Sequence, residues 1–219
     1  MIFARRPSPG TVKTRLARSM GEEAAAELYR CMLFDVVEKA ASLRQAEPVI
    51  FYVRDAEAAA YFAENFPGLE AFPQAEGGLG ERLTAAFGAM FAAGRRKCVA
   101  IGTDSPDLPA EYLADAFRLL QEKEGRVVLG PAADGGYWLI GMDRLRPPLF
   151  RDIPWSTDAV LRSTIERCGE EAADHALLPE WYDVDVAEDL LRPGLLAPDS
   201  GAPRTRQFLR GLPGISRRG

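Results

Sequence analysis

Histidine is almost absent from this 219-residue chain, with His175 its only instance. A nucleophile activated by a Ser–His or Cys–His pair is therefore set aside, and His175 reads as a surface or half-buried residue at a strand start. Cysteine is nearly as scarce. Cys31, Cys98 and Cys168 lie far apart, with no Cys-x-x-Cys pair and no histidine nearby, so neither a zinc site nor a disulfide framework is expected. That usage fits a reducing, cytoplasmic setting. No apolar run approaches the roughly 20 residues of a membrane span. The N-terminus turns polar by Arg5, unlike a signal peptide. Positive charge is in the minority, and the net charge of −5 argues against nonspecific nucleic-acid binding. A local cationic pocket for a nucleotide remains compatible with it. Internal repeats and low-complexity tracts are missing as well.

What is present is apolar material, 47% of residues, enough for the core of one α/β domain. Strands are expected at about residues 1–4, 48–53, 71–72, 98–102, 126–130, 137–142 and 176–178. Helices are expected at about 12–18, 22–43, 56–65, 80–93, 110–123, 157–168 and 187–191, with Ser156 or Thr157 capping the sixth. This alternation implies a mainly parallel sheet with helices on both faces. Met1-Ile2-Phe3-Ala4 looks like the end of a strand, so several residues of a first, central strand are expected before Met1. Past Arg192 the composition turns to Pro, Gly and Arg. Residues 1–192 are accordingly read as the domain, and 193–219 as a solvated tail with a short helix at about 204–212. The five arginines after Pro203 read as solvated.

Four segments carry candidate chemistry. Asp104 stands just past the strand Val99-Ala100-Ile101, within Gly102-Thr103-Asp104-Ser105-Pro106-Asp107-Leu108. Ligands bind at that edge of an open α/β sheet, and a carboxylate there suits a hard cation carrying phosphates. Read alone, Asp104 serves equally as a cap for the helix after Pro109. The loop Arg5 to Leu16 follows a strand and opens a helix, with Gly10 in the turn and Lys13 and Arg15 as cations. It is either a phosphate cradle or an exposed basic loop, and it matches neither a P-loop nor a Rossmann fingerprint. Gln74 to Arg82, with Gly77, Gly78 and Gly80, permits close approach to a nucleobase or is simply a flexible helix start. Pro131, Asp134, Tyr137 and Trp138 crowd one strand mouth around a tight Asp-Gly-Gly turn, where they would shape an acceptor pocket. Asp183 and Asp185 flank Val184 in period-two alternation, so both carboxylates share one side. Asp185 either joins Asp104 on a divalent ion or caps the helix from Ala187.

In order along the chain, Phe3–Pro7, Pro9-Gly10, Val12–Leu16, Leu79–Arg82, Gly102–Leu108, Gly130-Pro131, Asp134–Tyr137, Pro154–Thr157, Asp183–Asp185 and Glu188–Leu190 resemble the GT-A-type nucleotide-diphospho-sugar transferase superfamily. The nearest resemblance is to a bacterial family known as glycosyltransferase A, some of whose members are called arsenosugar-biosynthesis glycosyltransferases. Phospholactate guanylyltransferase and molybdenum cofactor guanylyltransferase are related. The resemblance implies a three-layer αβα sandwich around a mainly parallel, mixed sheet. It implies a transferase dependent on Mg²⁺ or Mn²⁺ and using a nucleotide-activated donor, in the first instance a glycosyltransferase using a nucleotide sugar. The alternatives are a nucleotidyltransferase that releases pyrophosphate and a noncatalytic nucleotide-binding module. Asp104 and Asp185 would hold the metal, Lys13 and Arg15 would meet donor phosphates, and Asp134 or Asp183 would act as base. Arg5, Gly10, Gln74, Leu79, Gly80, Arg82 and Thr103 would complete the nucleotide site. Expected partners are the nucleotide or nucleotide-sugar donor and a small-molecule acceptor, with no nucleic acid and no membrane span, and a homodimer is left open. One departure is plain: the superfamily's pyrophosphorylases open on a Gly-x-Gly-x-Arg-type loop, replaced here by Arg5-Arg6-Pro7-Ser8-Pro9-Gly10.

Overall fold

The β-branched and aromatic runs form seven strands: β1 (Ile2–Ala4), β2 (Val49–Tyr52), β3 (Glu70–Pro73), β4 (Cys98–Ile101), β5 (Val127–Pro131), β6 (Tyr137–Met142) and β7 (His175–Leu177). Between and beyond them lie α1 (Thr14–Met20), α2 (Glu22–Ala41), α3 (Ala58–Asn65), α4 (Leu79–Ala92), α5 (Ala110–Glu122), α6 (Val160–Glu170), α7 (Pro193–Leu196) and α8 (Pro203–Arg210). These elements come from a computed structural model, which describes residues 1–212. The strands make one sheet in the order β3-β2-β1-β4-β6-β5-β7. It is parallel except for β6, which runs antiparallel to both β4 and β5.

Strand alternation divides the core into two layers. Ile2, Ala4, Ile50, Tyr52, Val99 and Ile101 pack with buried residues of α2, α3 and α5. Their alternates Val49, Phe51, Cys98 and Ala100 pack with α4 and α6 on the other face. Each fully buried side chain of this kind contributes about 1.5–3 kcal/mol, so the period-two pattern fixes register as well as stability. The mixed αβα sandwich expected of the sequence is therefore the fold. The strand order reverses between β1 and β4, and the crevice beyond their carboxyl ends is the switch point where such sheets bind ligands.

Three local expectations need correction. The segment past Arg192 is not a solvated tail as far as Arg210. Leu195 of α7 and Ala202 and Leu209 beside and within α8 are fully buried against Leu16 of α1 and Leu28 and Met32 of α2. Arg204 pairs with Glu38, and Arg206 donates to the Ala197 carbonyl at 2.8 Å; Arg217 and Arg218 lie outside the described residues. Secondly, α6 starts at Val160 with no side-chain cap. Ser156 has φ 66°, and the Thr157 hydroxyl closes a local turn by donating to the Pro154 carbonyl at 2.7 Å. The helix expected at 187–191 is present as the 3-10 helix Ala187–Leu191, and residues 183–185 before it belong to no strand. Lastly, Gly80, the second residue of α4, serves packing. A Cβ on Gly80 would lie 2.6 Å from the Phe150 carbonyl oxygen, so the helix start sits tight on that turn and on Trp155.

Candidate functional site

A cleft of about 600 Å³ opens over the carboxyl ends of β1 and β4. Ligand pockets run to about 300–1,000 Å³, so a nucleotide-sized molecule fits. The loop after β1 brings Lys13 to it. That residue caps α1 with φ 46° and ψ 44°, a left-handed conformation that a long side chain seldom adopts. Its side chain turns inward and is only 4% exposed. From β4, Thr103 and Asp104 reach the same rim. The extended run after β7 supplies Asp183 and Asp185 while Val184 between them is fully buried. The Val184 N–H donates to the Asp104 carbonyl at 2.8 Å, tying the two acidic segments together.

At the centre, the Lys13 Nζ donates to Oδ1 of Asp104 and, at 2.8 Å, to Oδ1 of Asp185. Both aspartates keep almost half of their side chains open, 45% and 47%. Burial works against the Lys13 charge, but the two carboxylates outweigh it and hold its pKa above the usual lysine range. Asp183 accepts a bond from the Ser105 hydroxyl at 2.8 Å. Burial and then the Asp104 charge push its pKa up to about 6, against the opposing pull of Ser105 and Lys13. Arg5 and Arg15 also line the cleft, and their guanidinium groups have no partner among the described residues. A cationic rim thus faces an acidic centre, the arrangement that a phosphate chain bound with a metal requires.

A supporting layer, which motif reasoning missed, fixes these groups. The buried Tyr29 hydroxyl accepts from the Arg5 N–H at 3.0 Å and from the Thr103 hydroxyl at 2.9 Å, joining the loops after β1 and β4. Lys39 donates to the carbonyls of Pro106 at 2.6 Å and Leu108 at 2.5 Å, pinning the turn beyond Asp104. Asp107 takes the Tyr182 hydroxyl and, at 3.3 Å, the Trp181 indole N–H. Asp189 accepts the N–H groups of Asp185 and Val186 at 2.9 and 3.0 Å. Asp189, not Asp185, is therefore the cap of the turn at 187–191, which leaves the Asp185 carboxylate free for Lys13. An acidic residue three places into a helical turn was the one available signal. Nothing local marked Tyr29 or Lys39.

Of the residues singled out in the sequence, the cleft brings together Arg5, Lys13, Arg15, Gln74, Leu79, Arg82, Thr103, Asp104 and Asp185, with Tyr137 and Trp138. Asp104 does not cap α5, which has no side-chain cap. Gln74 is buried and spends its amide on the Phe51 carbonyl at 2.8 Å, while its Oε1 faces Arg82 at 3.4 Å. Asp134 does not line the cleft: its carboxylate closes its own turn on the Gly136 N–H at 2.9 Å. Gly10, Gly80 and Pro131 are likewise outside the lining. His175 is exposed at the start of β7.

Among the described residues, no group of three or more His, Cys, Asp or Glu side chains forms a closed metal cage. The open pair Asp104 and Asp185 is chemically suited to a hard divalent ion, because each carboxylate meets Lys13 through Oδ1, lines the cleft and keeps almost half of its side chain exposed. Such an ion takes the rest of its octahedron from phosphate oxygens and water. No helix among the described residues is long and apolar enough to cross a membrane.

The chain resembles a solved structure of a candidate nucleotide-diphospho-sugar transferase from Desulfovibrio desulfuricans G20, at 33% identity over 95% of each chain with a TM-score of 0.85. At 13% identity it shares its fold with a cytidylyltransferase from Leptospira borgpetersenii serovar Hardjo-bovis, over 100% of this chain and 95% of that one, with a TM-score of 0.57. At 12% identity it shares its fold with molybdopterin-guanine dinucleotide biosynthesis protein A from Archaeoglobus fulgidus, over 96% and 99% of the chains, with a TM-score of 0.51. No curated protein matches. Residues 36–157 carry the family match, a stretch that holds Asp104 and most of the sheet. The chain belongs to DUF2064, the family described as an uncharacterized protein conserved in bacteria.

Proposed function

We propose that the protein transfers a glycosyl group from a nucleotide sugar to a small-molecule acceptor. The observation that carries this reading is the convergence of Asp104 and Asp185 at the switch point of the sheet, beside Arg5 and Arg15, whose guanidinium groups have no partner among the described residues. The 33% identical relative described as a nucleotide-diphospho-sugar transferase supports the donor class. Asp104 and Asp185 would hold Mg²⁺ or Mn²⁺, whose chemistry is neutralisation of the departing diphosphate. Arg5 and Arg15 bind the phosphates and orient the donor. Leu79 offers an apolar edge to the base. Asp183, rather than Asp134, is the carboxylate inside the cleft that can take a proton. The acceptor hydroxyl oxygen bonds to the anomeric carbon as the bond to the diphosphate breaks. Its proton passes to Asp183, and the nucleoside diphosphate leaves.

A second reading, nucleotidyl transfer with release of pyrophosphate, draws support from the fold shared with a cytidylyltransferase and from cations concentrated at the phosphate rim. One panel separates the two. The protein is incubated with Mn²⁺ and each common nucleotide sugar, then with each ribonucleoside triphosphate and a sugar phosphate, and the products are resolved. Free nucleoside diphosphate, lost in Asp104→Asn, is the expected result. Pyrophosphate instead establishes the second reading, and intact donors with no nucleotide bound overturn both.

A further inference from the structure

Lys13 is committed in a way the other cations of the cleft are not. Arg5 and Arg15 line the cleft with no partner among the described residues, whereas the Lys13 ammonium is bonded to one oxygen of Asp104 and one of Asp185. Its side chain is 4% exposed, against 45% and 47% for the two aspartates, so it sits behind the pair on the protein side. A divalent ion shared by these carboxylates draws on the same negative charge. With the ammonium in place, one of the two charges is already neutralised, and a second cation also meets the repulsion of the first. Lysine has three N–H donors, and two of them are used among the described residues. Lys13 is also one of the residues that line the cleft where a phosphate would bind.

We propose that Lys13 is a resident counter-ion that weakens the hold of Asp104 and Asp185 on a divalent cation, and that a phosphate group bound in the cleft relieves this by sharing the ammonium charge. Metal and phosphate then bind as a coupled pair, each raising the affinity of the other by the same factor. The cleft stays poor in metal until a nucleotide arrives. This inference rests on the reading of Asp104 and Asp185 as metal ligands.

The test measures Mn²⁺ binding to the full chain from the paramagnetic resonance of the free ion, with no turnover involved. Lys13→Met is expected to bind Mn²⁺ about tenfold tighter than the wild type, within the usual range of such couplings. Sulfate, a tetrahedral dianion that scarcely chelates manganese, is expected to tighten Mn²⁺ several-fold on the wild type and not on Lys13→Met. Asp185→Asn in the Lys13→Met background should return the affinity to weak. The sulfate arm uses the native chain, so it decides the matter even if Lys13→Met fails to fold, and Lys13→Gln provides a second neutral variant. Mn²⁺ bound equally by wild type and both neutral variants, or indifferent to sulfate on the wild type, overturns the counter-ion role while leaving the metal site standing. No Mn²⁺ bound by any form, with or without sulfate, overturns the metal reading and this inference together.

Discussion

At Lys39 a single buried ammonium holds the turn behind Asp104 through two backbone carbonyls, with no salt bridge of its own among the described residues. Burial pushes its pKa down to about 8, against the pull of Asp107, Asp35 and Glu111, the carboxylates that face it. Unfolded, the group keeps its proton up to its ordinary value of 10.5. Between those values the unfolded chain binds more protons than the folded one, so raising the pH across that window adds stability. Below it both states are protonated, and the penalty for burying the charge is fully present. A neutral amine still has two N–H groups, enough for both carbonyls. Urea unfolding at a series of pH values should therefore show stability rising from about pH 8 towards 10.5 relative to Lys39→Met. Parallel curves for the two proteins would remove the role assigned to burial. Legibility at this scale is uneven for a physical reason. Lys13 could be read as a phosphate-directed cation from its place before a helix, but its partners lie 91 and 172 residues away. No local pattern encodes a contact of that separation, and the same holds for Tyr29 with Thr103 and for Asp107 with Tyr182.

Among the elements, α8 separates what composition suggests from what packing does. Its eight residues include three arginines, so its polar face is broad, yet Leu209 is fully buried with Leu195, Leu28 and Met32. Two backbone N–H groups of its first turn, on Arg204 and Thr205, are met by the carboxylate of Asp35 from α2 at 3.1 and 2.8 Å. The helix is thus capped from another element, a device that a window of local sequence does not reveal. Leu209→Ala should cost about 2–5 kcal/mol, the range for a buried leucine whose cavity does not collapse. A solvated tail would instead leave stability within about 0.5 kcal/mol. Denaturant midpoints at unchanged slope are the measurement that decides. Where elements were legible, burial on both faces made them so: β2, β4 and β6 are nearly continuous apolar runs and emerge close to their expected bounds. The start of α6 was displaced because Ser156 and Thr157 have cap chemistry but are used in the preceding turn. The alternation at Asp183-Val184-Asp185 put its side chains on the correct sides even though no ladder forms there. Burial of Val184 alone enforces that orientation.

For the whole molecule the sign of the charge changes between the surface and the cleft. The chain carries −5, whereas the cleft lining holds Arg5, Lys13, Arg15, Lys39 and Arg82 against Asp104, Asp183 and Asp185, a surplus of two positive charges. Overall negative charge disfavours nonspecific contact with nucleic acid, while low-dielectric walls focus the local positive field on small anions. A nucleotide sugar with Mn²⁺ should therefore raise the melting temperature by mass action. At about one hundred times the dissociation constant the folded state gains about 2.7 kcal/mol. Because the proposed binding relies on rim arginines and a metal ion, the shift should shrink as ionic strength rises beyond about 0.15 M, where the screening length falls to about 8 Å. The melting temperature without ligand should move much less. Asp104→Asn should lose some stability alone, because the buried Lys13 ammonium then keeps only Asp185 as a charged partner, and should show little or no ligand-induced shift with Mn²⁺. Thermal-shift curves across salt, metal and these two proteins separate three outcomes. A shift lost in the variant and weakened by salt follows from the charged cleft. One retained in Asp104→Asn locates binding elsewhere on the molecule. One insensitive to salt would mean that apolar contacts around Leu79 and Trp138, rather than the rim of arginines, hold the ligand.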